Sequence, residues 1–169
     1  MGHLRADTRD PESGAAAVEF ALLASLLFML IFGSISAGIS FSRSNALQTA
    51  AREGVRFAAT LPGADTDVTT WLDTVITTTQ AAALGELDNG IPGRTICVAF
   101  VTAGGTGTSR ELDAAGNTSD STQCFNDGLA GEADVPRAQV AVERETEIQA
   151  VLFAIDITVS GDAVARYER

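Results

Sequence analysis

One uninterrupted apolar run dominates the first third of the chain. Between Phe20 and Ser42, 23 consecutive residues carry no charge, and most are Leu, Ile, Phe, Ala, Gly or Ser. A helix needs about 20 such residues to cross a bilayer. Small and apolar residues then recur at spacings of three and four up to Thr60, and no proline interrupts them. We therefore predict one continuous helix from Ala15 to about Thr60, about 70 Å long.

A second helix is predicted after the turn Leu61-Pro62-Gly63. It extends from about Asp65 to Leu84, with Asp65 or Thr66 as the N-cap and Asp67 in the first turn. Five apolar residues recur at helical spacing and predict its buried face. They are Val68, Leu72, Val75, Ile76 and Leu84.

The second half of the chain has the period of β-strands. Thr95 to Thr102 is rich in Ile, Val and Phe, and apolar residues alternate over Gln139 to Glu147 and again over Ala150 to Gly161. The last two segments are joined by a short connection and are expected to pair as a hairpin. Ala103 to Asp134, rich in Gly, Ser, Thr and Asp, predicts a long polar excursion. The expected class is α+β, with two helices and a small antiparallel sheet.

These elements divide the chain into four parts. We expect a polar leader over 1–14, a transmembrane helix over 15–42, an amphipathic stalk helix over 43–61 and an α+β domain over 62–169. Arginines flank both ends of the apolar run, with Arg5 and Arg9 before it and Arg43 after it. The positive-inside rule therefore leaves the orientation open.

Composition narrows the classes of function. The net charge is −11, and from Ser44 onward there are 18 acids, 8 arginines and no lysine. Such a surface repels phosphate backbones, so we expect no nucleic-acid partner. The one histidine, His3, precedes the apolar run, which argues against histidine catalysis and histidine metal ligation. We expect neither enzymatic activity nor a cofactor.

Two groups of polar residues are assigned solvent-facing roles. Asp113, Asn117 and Asp120 lie in the polar excursion, but their spacing does not match a calcium-binding EF-hand loop. We interpret them as a solvated acidic loop. The second group alternates along one strand and is expected to keep a sheet edge soluble. It consists of Glu143, Glu145 and Glu147.

The two cysteines, Cys97 and Cys124, both follow the apolar run. In a cytosolic domain they would most often be unpaired core residues. In a domain exported across a bacterial inner membrane a disulfide is expected, which would stabilise the loop between them by about 3 kcal/mol. Their pairing therefore depends on the compartment.

The start of the apolar run allows three interpretations. A cleaved signal peptide would need a basic start and a shorter apolar core, and a plain signal anchor would not need Glu19. The third is a prepilin, in which a peptidase cuts after a glycine ahead of the apolar helix. Here Gly14 is followed by four small or apolar residues and then Glu19. After a cut between Gly14 and Ala15, Glu19 lies one helical turn from the new amino terminus and can neutralise an ammonium group.

Two segments together resemble the TadE-like family, the minor pseudopilins of the tight-adherence (Tad, Flp-type) pilus. One is the opening from Gly14 to Leu23. The other is Asn45 to Ala59, which contains the block Ala-Ala-Arg-Glu-Gly-Val-Arg-Phe-Ala-Ala over residues 50–59. The closing segment from Ile155 to Glu168 is similar to the family's last strand.

This resemblance implies a structural role in pilus assembly. The expected partners are other pilus subunits, inner-membrane assembly proteins, the prepilin peptidase and membrane lipid. The protein would be a single-pass protein of the bacterial inner membrane with its C-terminal domain outside the cytoplasm, either in the fibre or in the membrane complex. The alternative is an unprocessed, membrane-anchored binding module, which needs neither Gly14 nor Glu19.

Overall fold

A computed structural model describes residues 11–64, 66–103, 107–121, 135–150 and 153–167. These ranges hold two helices and five strands, so the predicted α+β class is confirmed. In chain order the elements are α1 (Pro11–Thr60), α2 (Val68–Ala82), β1 (Thr95–Val101), β2 (Gly107–Leu112), β3 (Thr118–Asp120), β4 (Arg137–Ala150) and β5 (Phe153–Arg166).

Helix α1 confirms the prediction of a single long helix, with 50 residues and no interruption. Its C-terminal part is built into the core, because the small and apolar residues spaced by three and four face the sheet and α2. The buried residues of this stripe are Leu47, Ala50, Ala51, Gly54, Val55 and Ala58. The last turn of the helix is followed by the predicted stop at Leu61-Pro62-Gly63.

Helix α2 begins later than predicted, and its N-cap is a different residue. The Asp67 carboxylate accepts a hydrogen bond from the Thr70 backbone nitrogen at 3.1 Å, which makes Asp67 the cap. Hydrogen bonds from Thr70 hold the pKa of Asp67 below its usual value. Thr66, which the sequence offers as an N-cap, does not cap the helix. Its hydroxyl donates to the Gly63 carbonyl and stabilises the turn before α2. Asp65 lies outside the described residues.

The buried face of α2 is only partly as predicted. Its buried side chains are Trp71, Leu72, Val75, Ile76 and Thr79. Val68 is half-buried against the core. The prediction for Leu84 is wrong, because this side chain is 91% exposed. Helix α2 ends at Ala82, and Leu84 has a φ of +52°. The helical period no longer applies there.

The five strands form one antiparallel sheet in the order β3-β2-β1-β4-β5. The predicted hairpin is confirmed, with β4 and β5 paired from Arg137↔Arg166 to Ala150↔Phe153. The interpretation of 103–134 as an excursion without strands is wrong, because β2 and β3 form within it. In β2 only Leu112 is buried, so its sequence lacks the apolar alternation that marks a strand.

Strand β4 is an interior strand of the sheet only as far as Glu143, so the predicted edge role is wrong for Glu143. Glu145 and Glu147 lie on the part of β4 that pairs with β5 and not with β1. It lies between β1 and β5 as far as the pair Thr95↔Glu143. Glu143, Glu145 and Glu147 are exposed on the face opposite the helices. An antiparallel sheet commonly keeps one face solvated, and that accounts for the alternation. Beyond Glu143 only β5 pairs with β4, so the hairpin extends past the rest of the sheet.

Three aromatic rings join α2, β1 and the segment after β5. The ring centroids of Trp71 and Phe100 are 5.6 Å apart, and those of Phe100 and Tyr167 are 5.1 Å apart, both in edge-to-face geometry. The indole nitrogen of Trp71 donates to the Leu61 carbonyl at 3.0 Å. This aromatic cluster fixes the end of α1 and the start of α2 against the sheet.

Two glycines allow close approach to α1. Gly161 of β5 lies against the backbone of Leu47 and Gln48, and Gly54 of α1 lies against the Thr79 side chain of α2. The Gln48 side chain also donates to the Asp162 carbonyl at 2.7 Å. Both faces of the buried part of α1 therefore have a contact that depends on the absence of a side chain.

Candidate functional site on the N-terminal helix

The predicted processing site lies on the exposed N-terminal part of α1. Gly14 and Ala15 are both exposed, and a Cβ placed on Gly14 would meet no atom within 4 Å. Helix α1 begins at Pro11, so it includes the last residues of the predicted leader. Residues 1–10 of that leader lie outside the described part of the chain.

Glu19 follows Ala15 by one helical turn, on the same face of α1. Its side chain is exposed, and it forms no ion pair with any residue that the structure describes. The geometry leaves the carboxylate available to a group from outside this chain or to a new amino terminus at Ala15. Cleavage itself and the pairing of Glu19 stay predictions.

The surface around and beyond Glu19 is almost wholly apolar. One 18-residue window of α1 has a mean hydropathy of 2.4, none of it is buried, and its length and composition suit a membrane span. The large apolar side chains exposed there are Val18, Phe20, Leu22, Leu23, Leu26, Leu27, Phe28, Leu30, Ile31, Phe32, Ile35, Ile39 and Phe41. A patch of this size on a soluble monomer is rare, so lipid or other apolar helices are its expected surroundings.

A group of charged residues, which we call the collar, ties α1 to the domain where the apolar run ends. The Glu86 carboxylate is 3.7 Å from Nε of Arg43 and binds Arg144. Arg43 also donates to the Thr146 hydroxyl. Burial lowers the pKa of Arg144, and Glu86 acts against that shift. The sequence pattern does not predict the collar, although Arg43 is the first charge after the apolar run.

The block that resembles the TadE-like family divides into two faces. Its small residues pack inside the domain, while its charged residues face solvent, where Arg56 and Glu53 form an ion pair of 3.1 Å. The buried members are Ala50, Ala51, Gly54, Val55 and Ala58, and the exposed charged members are Arg52, Glu53 and Arg56. Packing accounts for the small residues of the block.

The structure describes only one of the two cysteines predicted to form a disulfide. Cys97 is buried on β1, on the face of the sheet that does not contact the helices. Cys124 lies outside the described residues. The disulfide between them therefore stays a prediction.

Of the three residues interpreted as a solvated acidic loop, Asp113 and Asn117 form a turn, whereas Asp120 is the last residue of β3. Asn117 donates both its backbone nitrogen, at 2.8 Å, and its side-chain nitrogen, at 3.2 Å, to Asp113. The backbone hydrogen bond from Asn117 is the main cause that lowers the pKa of Asp113. Asp120 lies 3.9 Å from Arg110. Among the described residues no three acidic, histidine or cysteine side chains are grouped to hold a metal ion.

The N-terminal helix is the part of the chain that is similar to a known protein family. The family model described as TadE-like protein matches residues 14–56, about a quarter of the chain. No curated protein and no solved structure matches. The resemblance to the TadE-like family is therefore confirmed for the helix from Gly14 to Arg56. The match does not include the closing segment from Ile155 to Glu168.

Proposed function

We propose that this chain, which is similar to the TadE-like family over residues 14–56, is a minor pilin-like protein that acts in assembly of a Tad/Flp-type adhesion pilus. Its role is structural and not enzymatic. Helix α1 anchors it in the inner membrane, and the domain that follows lies outside the cytoplasm. Its partners are other pilus subunits and inner-membrane assembly proteins.

The observation that supports this proposal is that the family match, the exposed apolar surface and Glu19 all lie on the same segment of α1. The match begins at Gly14 and covers all the exposed apolar side chains of α1. A carboxylate within such a surface costs roughly 2–3 kcal/mol if it lies deep in lipid. An ammonium group at the amino terminus of a processed subunit offsets that cost. A helix that served only as an anchor would not need the acid.

Processing between Gly14 and Ala15 is the first prediction of this proposal. In cells that contain the prepilin peptidase, mass spectrometry should show a chain that has lost its first 14 residues, because small side chains flank the exposed bond. Gly14→Leu should leave the full-length chain, since the bulky side chain replaces the glycine at the cut. Gly38→Leu, farther along the same helix, serves as the control and should be processed normally. An intact leader, or a cut beyond Gly38, would contradict the pilin assignment.

The second prediction tests the carboxylate itself. Glu19→Ala should leave membrane insertion and folding of the domain intact, because Glu19 contacts no described residue of the domain. Co-purification with the other pilus subunits and the number of fibres should fall by about tenfold, which corresponds to a loss of about 1.4 kcal/mol in assembly. Glu19→Gln should behave like Glu19→Ala if the charge is the requirement.

The matched control for this test is Glu53→Ala, which removes an exposed acid from the same helix beyond the apolar run. It should leave fibre number unchanged. Normal fibres and normal co-purification in Glu19→Ala cells would show that the carboxylate is incidental. The chain would then be better described as an ordinary membrane anchor that begins with an acid.

A further inference from the structure

The collar lies where the apolar run of α1 ends. Glu19 and Arg43 are the charges on either side of that run, and they are about 36 Å apart along the helix. The hydrocarbon core of a bilayer is about 30 Å thick, and each headgroup layer adds about 5–7 Å. When Glu19 is at one surface of the core, Arg43 therefore lies within the opposite headgroup layer. This is the depth of the lipid phosphates.

The collar holds two arginines and one carboxylate. The Glu86 carboxylate binds Arg144 and is 3.7 Å from Nε of Arg43, so the three side chains together carry one net positive charge. Burial is the main cause that lowers the pKa of Arg144, and the charge of Arg43 adds to that effect. The two guanidinium groups are thus close enough to repel each other. A second anion beside them would reduce this repulsion.

Each arginine keeps one nitrogen for a further ligand. Arg43 donates from Nη1 to the Thr146 hydroxyl, and its Nε faces Glu86. Arg144 donates from Nη1 to Glu86 and from Nε to the Glu145 carbonyl at 3.2 Å. Within the described part of the chain, Nη2 of neither arginine forms a hydrogen bond. These two nitrogens are the donors that an oxyanion can engage, and the planar guanidinium group suits phosphate.

The nearby acids do not cancel the charge of the collar. Glu143 and Glu145, the neighbours of Arg144 in β4, are exposed on the face of the sheet opposite the helices. Asp88, in the segment after α2, acts on Arg94 and raises its pKa against the effect of burial. The positive charge of the collar is therefore a local feature of a chain whose net charge is −11.

An exposed apolar side chain adjoins the collar. Leu84 is 91% exposed and has a φ of +52°, a left-handed conformation that leucine rarely adopts. It is two residues from Glu86, so the two Cα atoms are at most about 7 Å apart. Cations beside an exposed apolar group suit an amphipathic ligand better than a free anion. A lipid supplies both the phosphate and the apolar chains.

We infer that the collar binds the phosphate of a lipid headgroup through Nη2 of Arg43 and Nη2 of Arg144, with Leu84 in the adjoining interface. The inference rests on the proposed function in one respect, namely that α1 spans the membrane. The contact fixes the depth of α1 in the bilayer. Because the collar also joins α1 to the domain, the same contact orients the domain relative to the membrane surface.

Native mass spectrometry of the full-length protein in detergent micelles tests this inference. The probes are dioleoyl phosphatidylglycerol, dioleoylglycerol, which has the same acyl chains without the phosphate, and inorganic phosphate. Glu86→Gln should raise the retained phosphatidylglycerol at least about threefold, because it removes the carboxylate that competes for both arginines. Arg43→Gln should lower it at least about threefold. Retention of dioleoylglycerol should be the same in all variants.

The matched control is Arg52→Gln, which removes an exposed arginine of the same helix outside the collar. It should leave the retained phosphatidylglycerol unchanged. Glu86→Gln separates ligand binding from a purely structural role, because loss of the internal ion pairs alone gives no gain of lipid. Unchanged or lower retention in Glu86→Gln would overturn the inference, also where the fluorescence of Trp71 shows that Arg43→Gln does not fold. Inorganic phosphate that binds as well as phosphatidylglycerol would overturn the assignment to lipid.

Flotation with phosphatidylglycerol vesicles separates failure of the collar site from failure of the anchor. Protein that floats but retains equal amounts of phosphatidylglycerol in all variants would overturn the collar site and leave the anchor intact. If Arg43→Gln then also loses co-purification with the other pilus subunits, the collar binds protein and not lipid. Protein that does not float would overturn the anchor and, with it, the position of the collar among the headgroups. Flotation with opposite effects of Glu86→Gln and Arg43→Gln supports both.

Discussion

Gly161→Ala is expected to lower the free energy of unfolding of the domain by about 3 kcal/mol, at the upper end of the cost of overpacking. An alanine Cβ at this position would lie 2.6 Å from the Leu47 carbonyl carbon and 2.6 Å from the Gln48 backbone nitrogen. Both atoms belong to the backbone of α1, so no change of rotamer can relieve the clash. The strand and the helix must separate, which opens the core beside Leu47.

Denaturant unfolding in detergent micelles measures this effect. The fluorescence of Trp71 reports it, because this is the one tryptophan of the chain and it is buried in the aromatic cluster. Ser160→Ala is the matched control, because it changes the neighbouring residue on the exposed face of β5. It should shift stability by less than about 0.5 kcal/mol. A Gly161→Ala protein as stable as the control would contradict the packing of β5 on α1.

Gly54→Ala is expected to destabilise the domain by about 2 kcal/mol, although alanine normally stabilises a helix by about 1 kcal/mol relative to glycine. The added Cβ would lie 2.1 Å from the Thr79 hydroxyl oxygen and 3.1 Å from the Thr79 Cβ. Thr79 is fully buried, and its hydroxyl donates to the Val75 carbonyl at 2.8 Å. The two helices must therefore move apart or Thr79 must lose this hydrogen bond.

A double-mutant cycle with Thr79→Ala tests whether the clash is the cause. The double variant Gly54→Ala/Thr79→Ala should recover more than half of the loss, because it removes the hydroxyl and the methyl group that the new Cβ meets. Gly38→Ala, in an open part of the same helix, makes the same substitution without a neighbour within 4 Å. It should not destabilise the domain. Strictly additive losses in the cycle would contradict the proposed contact.

The prediction for Gly54 gives a physical meaning to part of the family match. Gly54 is the glycine of the block by which the chain resembles the TadE-like family, and it lies within the matched residues 14–56. The structure places it where α1 crosses α2. The glycine is required for helix packing, whereas the charged residues beside it remain on the surface. The block therefore describes how α1 joins its domain.

Long, strongly periodic elements could be predicted from the sequence. Helix α1, strand β1 and the hairpin of β4 and β5 each carry an apolar pattern that persists for seven residues or more. Elsewhere, local polarity and spacing do not indicate the structure that forms. Strand β2 is held by the edge of β1 and by the turn from Asp113 to Asn117, not by a buried face. Leu84 follows helical spacing, but the helix has already ended.

The candidate site was predictable to the extent that its residues are close in sequence. Gly14, Ala15 and Glu19 lie within two turns of one helix, so their arrangement follows from their spacing. The collar could not be predicted in the same way, because Arg43, Glu86 and Arg144 come from three separate segments. Only the register of the hairpin and the turn after α2 bring them together. Distant contacts of this kind require the tertiary structure.

The packing of β5 on α1 sets the order of events during synthesis. Gln48 and Asp162, which are hydrogen-bonded, are separated by 114 residues. At 5–20 residues per second the ribosome needs roughly 6–23 s to make the intervening chain. Throughout that time the buried stripe of α1 lacks the strands that later cover it. The apolar half of the helix can enter lipid early, but the other half must be shielded until β5 has been made. The two halves of one helix thus complete their folding at different times.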